Sequence, residues 1–151
     1  MSIIGCFVAS VSDNNTDPAL ALKAAGLQVT AQRLSVFRCV AAMAHATADA
    51  VAESVRGEIG TVSRQAVYDS LGTLSEHGLI RRFQPAGSAA LYEARVNNHH
   101  HLICRGCGKM LDVDCAAGKA PCMDPINSHG FKIDEAEVTY WGLCPDCQSQ
   151  A

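Results

Sequence analysis

Nine residues, His99-His100-His101-Leu102-Ile103-Cys104-Arg105-Gly106-Cys107, constrain this chain more than any other stretch. They hold three imidazoles and two thiols, a density that neither packing nor solubility requires. Read as a strand, the side chains alternate, so His99, His101 and Ile103 share one face while His100, Leu102 and Cys104 take the other. Two imidazoles on one face make half of a metal site. Cys104 and Cys107 form half of another, and Cys144-Pro145-Asp146-Cys147 supplies its complement. The stretch reads as a hinge between two metal sites, one structural and one responsive.

Zinc takes four thiolates tetrahedrally, and C-x-x-C curls two sulfurs around one ion. The two pairs make Cys104, Cys107, Cys144 and Cys147 the ligands of a structural Zn(II). Gly106, Gly108 and Gly142 suit the tight turns such knuckles need. The alternative, a redox C-x-x-C, usually stands alone at a helix start. Eight cysteines could mean a secreted disulfide scaffold, but four in matched C-x-x-C pairs read as zinc in a reducing compartment, here the cytoplasm. Cys115 and Cys122 are either an extra redox pair or small buried hydrophobes. Cys6 and Cys39 read as a tail residue and core filler.

With 151 residues the chain holds one domain or two small ones. Apolar content of 48% supports a core, and aromatics at 5% make it aliphatic. No apolar run approaches a membrane span. The first residues lack the pattern of a signal peptide and read, over 1–16, as a flexible tail. Asp17-Pro18 opens a helix that Gly26 ends. Thr30 caps a second, with Leu34, Phe37 and Ala41 recurring on one side. Thr47 caps a third with Ala48, Val51, Ala52 and Val55 as its stripe. Ser63 caps a fourth with Val67, Leu71 and Leu74 inward and Gly78 as its stop. Residues 79–83 and 90–93 alternate like strands around turn chemistry at 84–88. Helix-turn-helix followed by a hairpin is a winged helix.

The expected fold is therefore α+β: a winged helix-turn-helix DNA-binding domain over 17–94, a hinge at 95–98 and a small α/β domain over 99–151. In the latter we expect strands at 99–104 and 109–113, an irregular stretch to His129, and a long strand at 131–141. Net charge is −3, and residues 96–151 hold four basic against seven acidic groups while residues 1–95 balance eight against eight. The N-terminal half is thus neutral, which permits DNA binding only if its arginines share a face.

A second metal needs ligands that the thiolate site leaves unused. His99 and His101 are available, as are Glu93 and Asp112 on neighbouring expected strands. Imidazole with carboxylate suits Fe(II), Mn(II) or Co(II). From spacing alone His45 reads more readily as a cap or surface residue than as a ligand, and so do His77 and His129.

At this point the residues resemble a known family, the ferric uptake regulator (Fur) family of metal-dependent repressors. The likeness covers 18–147 through Leu22-Lys23-Ala24-Ala25-Gly26-Leu27, Thr30-Ala31-Gln32-Arg33, His45-Ala46-Thr47-Ala48, Ala66-Val67-Tyr68, Tyr92-Glu93, the histidine run and both C-x-x-C pairs. Ser63–Asp69, Val113-Asp114-Cys115, Ala120-Pro121-Cys122 and Asp134–Val138 resemble the FurA branch, whose genes lie beside those of catalase-peroxidases.

The resemblance implies a homodimer formed through the C-terminal domain, with winged helices on inverted-repeat operator DNA. It assigns a regulatory Fe(II) or Mn(II) to His45, Glu93, His99, His101 and Asp112. Peroxide-sensing members carry Asp where Asp112 stands and iron sensors usually carry Glu. In those sensors peroxide oxidises a ligand histidine, here His45 or His99, and the repressor leaves DNA.

Three departures matter. A further metal site of many members is expected to be absent, because its positions hold Asn98 and Ala136 here. Asp69 stands where Arg is common, and an acid near phosphates is unhelpful, so readout is expected to shift to Arg64, Gln65 and Tyr68. Gln28 stands where Lys is common before the Thr-x-x-Arg motif, which weakens a minor-groove contact carried over to it. Arg64 and Gln65 face the major groove at the start of the fourth helix, and Tyr68 offers its ring to a thymine methyl. Arg33, Arg81 and Arg82 are candidates for phosphate contact. Competing readings are an iron or zinc uptake sensor, a metal-dependent enzyme using the histidines, and a zinc-ribbon interaction module. No general base stands beside the cluster, so the expectation is a regulator and not an enzyme.

Overall fold

The computed structural model describes residues 17–115 and 121–150, so the tail expected over 1–16 lies outside it. The chain divides after Val96 into two units. In the first, α1 (Pro18–Ala24), α2 (Ala31–Ala42), α3 (Ala48–Ile59) and α4 (Arg64–Glu76) start where side-chain oxygens wait for them. Asp17 accepts from the Ala19 amide, Thr30 from Arg33, Thr47 from Ala50 and Ser63 from Ala66, all at 3.0–3.1 Å. Each bond satisfies an N–H that the helix itself cannot. Gly26 and Gly78, both left-handed, turn the chain out of α1 and α4.

Leu22, Val36, Val40, Val51, Val55, Val67, Leu71 and Leu74 form an aliphatic core in this unit, all nearly or wholly excluded from solvent. The inward faces of α3 and α4 are those read from the sequence, with Ser70 added. Helix α2 is turned differently. It buries Ser35, Val36, Cys39 and Val40, while Leu34 and Phe37 pack at the margin and Ala41 is exposed. Apolar residues occupy more than one side of α2, so packing against α3 and α4 rather than periodicity selects the face.

The wing is a three-stranded antiparallel sheet in the order β1-β3-β2, from β1 (Ala46–Thr47), β2 (Arg81–Phe83) and β3 (Leu91–Glu93). The hairpin is shorter than expected, because Ile80 leaves the ladder to fill the core. At two residues, β1 is too short to show alternation, and nothing in the sequence analysis pointed to it. It pairs Ala46 with Tyr92.

In the second unit β4 (His99–Cys104) is central. It pairs antiparallel with β5 (Met110–Asp114) and parallel with β6 (Thr139–Gly142), and a short helix α5 (Pro145–Gln148) follows. The long strand expected over 131–141 is not formed. The register sets Thr139 opposite His101, which leaves β4 only His99 and His100 with which to pair anything earlier. Residues 131–135 are exposed instead. Among the described residues no helix is long and apolar enough to cross a membrane.

Candidate metal centres

Cys104 ends β4, Cys107 lies in the turn after it, and Cys144 and Cys147 bracket the start of α5. Their sulfurs lie within 4.8 Å of one another, and those of Cys107 and Cys144 are 3.7 Å apart. Tetrahedral zinc with sulfur at about 2.3 Å sets its ligands about 3.8 Å apart, so the cluster fits the ion. The Cys144 amide donates to Cys104 Sγ at 3.2 Å. That bond, with others from the turn, lowers the Cys104 thiol to about 6. Hydrogen bonds to the neighbouring cysteines push Cys147 up to about 12. Gly106 is tight against the site: a Cβ there would lie 2.9 Å from Cys147 Sγ.

The histidine and carboxylate donors form two sets, one in each unit. In the first, His45 precedes β1 and Glu93 ends β3. The pairing of Ala46 with Tyr92 therefore brings the two residues opposite each other. His45 Nε2 is 3.6 Å from Glu93 Oε2, and Arg81 Nε is 4.0 Å from Oε1 of the same carboxylate. Arg81 thus faces Glu93, with a largely buried side chain, rather than the surface where phosphate contact was expected. His45 holds φ +59, which is uncommon for a residue with a side chain, and its ring meets Phe83 edge-on at 5.8 Å.

In the second unit, cross-strand pairing of His101 with Asp112 brings Asp112 Oδ1 to 3.6 Å from His101 Nε2 and 3.8 Å from His99 Nε2. The two rings are 4.8 Å apart. His99 Nδ1–H donates to the Asn97 carbonyl at 2.8 Å, which turns Nε2 toward the carboxylate. Short contacts from both imidazoles to one carboxylate suit an ion with nitrogen and oxygen ligands.

The residues expected to read DNA lie on α4 and beside it. Arg64 Nη2 is 3.1 Å from Asp49 Oδ1, and the Tyr68 hydroxyl donates to the same oxygen at 3.2 Å. Gln65 donates to Asp69 at 2.8 Å. Arg33 donates to the Gln28 carbonyl at 2.9 Å. Gln32 donates to the Ala66 carbonyl and to Ser70 Oγ, at 2.8 and 2.7 Å, and so fixes α4 against α2. The sequence reading missed Asp49 and Gln32. Only an acid one turn before a recognition helix's arginine in space, not in sequence, would have pointed to Asp49.

The Ferric uptake regulator family's sequence profile matches residues 24–141. The chain belongs to that family. Over 132 residues it is 52% identical to the transcriptional regulator FurA of Mycobacterium tuberculosis, spanning 87% of this chain and 90% of that protein. It is 53% identical over 121 residues to ferric uptake regulation protein 1 of Mycolicibacterium fortuitum, spanning 80% and 75%. The solved structure of the ferric uptake regulator from Francisella tularensis with iron superposes at a TM-score of 0.65 and 20% identity, over 82% of this chain and 96% of that one. This Fur-family chain is accordingly a metal-dependent transcription regulator that binds DNA as a dimer, and it is not an enzyme. Its α+β fold, a winged helix followed by a small α/β domain, is shared with solved ferric uptake regulators.

Proposed function

We propose that this regulator is a cytoplasmic repressor that takes a regulatory Fe(II) or Mn(II) and senses peroxide through its Fe(II) form, with Cys104, Cys107, Cys144 and Cys147 holding a structural Zn(II). The observation that carries the reading is the division of the histidine and carboxylate donors. His45 and Glu93 give two ligands in one unit, and His99, His101 and Asp112 give three in the other. Neither set fills a coordination sphere, so an ion that takes all five favours one arrangement of the units by its differential affinity for it. That arrangement is the one that presents α4 to an inverted-repeat operator.

Asp112 favours peroxide sensing over simple iron sensing. Its carboxylate is one methylene shorter than glutamate's and meets both imidazoles. Fe(II) held by these residues would supply the reducing equivalent for peroxide cleavage beside the imidazoles of His45, His99 and His101. The family resemblance singles out His45 or His99 as the ring that would be oxidised, and an oxidised ring is a poorer donor. The target class implied by the FurA likeness is a catalase-peroxidase gene. The alternative is an iron- or zinc-level uptake regulator, for which the same ligands serve without oxidation.

The test is operator binding by protein loaded anaerobically with Fe(II) or Mn(II), before and after brief peroxide, with peptide mass spectrometry on the same samples. Release of only the Fe(II) form, with one oxygen added to His45 or His99, is expected. Retention of both forms with unmodified histidines selects the uptake regulator. In a separate arm, His45→Ala is expected to abolish metal-dependent binding while zinc content stays unchanged. Normal ferrous-dependent binding by that folded variant would sink the two-unit clamp.

A further inference from the structure

Strand β4 presents metal-binding side chains on both faces. His99 and His101 turn to Asp112, and alternation sends His100 the other way. There it meets two thiols that neither of the sites above uses. One ligand atom each from His100, Cys115 and Cys122 lie within 4.8 Å of one another, and Cys122 Sγ is 3.0 Å from His100 Nε2. The geometry follows from register: Val113 of β5 pairs with His100, and Cys115, two residues on, returns to the same side. His100 is only 3% exposed, and its Nδ1 has no hydrogen-bond partner among the described residues.

We propose that His100, Cys115 and Cys122 form a third metal site, for a thiophilic divalent cation of the Zn(II) class. One imidazole and two thiolates are a soft donor set, distinct from the imidazole and carboxylate ligands on the opposite face. Charge supports it: two thiolates and a neutral imidazole balance a divalent cation, so the site can be buried without an uncompensated charge. Distance supports it as well. Bonds of about 2.0–2.3 Å place tetrahedral ligands about 3.5–3.8 Å apart, so atoms already within 4.8 Å of one another need only small shifts to reach that spacing. Three protein donors leave a fourth position open to solvent or an exogenous ligand. A Cys115–Cys122 disulfide, the other use of this pair, would remove the thiol that His100 Nε2 contacts and leave a buried imidazole without it.

The experiment uses the full-length protein, reduced and anaerobic, carrying zinc in its four-cysteine cluster and titrated with Co(II) alone. Thiolate-to-cobalt charge-transfer absorption is expected to rise and saturate at one equivalent per chain, with the original zinc retained. The Cys115→Ser/Cys122→Ser double variant is expected to lose that band and keep the zinc. Cys122→Ser alone, the milder change, is expected to lower it by about half, since one of two thiolate donors remains. No band in the wild type, or an undiminished band in Cys122→Ser, overturns the proposal. The regulatory ligands include no thiol, so their failure to bind Co(II) would remove only the weaker bands of nitrogen and oxygen coordination and leave this readout intact.

Discussion

Asp49 governs at once two side chains that the sequence reading assigns to DNA contact. It holds Arg64 at 3.1 Å and accepts from the Tyr68 hydroxyl at 3.2 Å. That hydrogen bond is the main reason the Tyr68 phenol lies above its ordinary value of 10.0, with the Asp49 charge adding to it. A folded value above the unfolded one means the contact stabilises the protein in full below about pH 10 and is lost as pH rises through the folded value. Asp49→Asn is expected to bring the phenol back toward 10.0, read by ultraviolet titration of tyrosine. It also releases Arg64 and removes an anion from beside it, which favours DNA phosphates if α4 is the reading helix. An exposed ion pair is worth at most about 1 kcal/mol, so operator affinity of metal-loaded protein should rise by about fivefold or less. An unmoved phenol would show that Asp49 does not hold Tyr68 in solution, and weaker DNA binding would show that it orders Arg64 for DNA instead of restraining it.

At the scale of elements, the turn between β4 and β5 and the start of α5 act as one knuckle, and Gly106 is where they touch. A Cβ at Gly106 would meet Cys147 Sγ at 2.9 Å and Cys147 Cβ at 3.2 Å. A sulfur committed to an ion cannot swing aside as a surface side chain can. Gly106→Ala is therefore expected to lower zinc content or speed zinc loss to a chromogenic chelator, with the helices of the first unit unchanged by circular dichroism. Zinc retention equal to wild type would mean that the knuckle has slack. Such elements differ in how much of them a sequence can show. The four helix starts were legible because each is one capping residue acting on an amide two or three positions away. The alternation of β4 was legible for the same local reason. What spacing alone could not show needs a partner distant in sequence: β1, which exists only through its pairing with β3, and with it the meeting of His45 and Glu93, which only the family resemblance had placed together. The overlong strand at 131–141 failed likewise, since alternation there has no ladder to join. Cys115 and Cys122 could be noticed as a pair, but their convergence on His100 depends on the register of β4 with β5.

The two units stand on different physical supports, and this shapes how the whole molecule responds to metal loss. Helices α1–α4 enclose an aliphatic core that belongs to the first unit alone. In the second, the buried apolar residues among those described are Ile103 and Cys104, beside three buried histidines. Leu111, Leu102 and Tyr140 sit side by side across β5, β4 and β6, and each is roughly half exposed. A row of that kind on a regulator that works as a dimer is the surface a second copy would cover. The second unit thus depends on the thiolate cluster and on association, because binding free energy at a structural zinc site is folding free energy. Zinc removal by a strong chelator should therefore unfold this unit and yield monomers in sedimentation. Most of the helical circular dichroism should survive, since all but the four-residue α5 lies in the first unit. Metal-dependent operator binding should disappear in the same titration, because two winged helices that are no longer joined lose the effective concentration that links the half-sites. Dimers that persist after stoichiometric zinc loss would show that the apolar row suffices to hold the copies together, and would reduce the cluster to a local clasp.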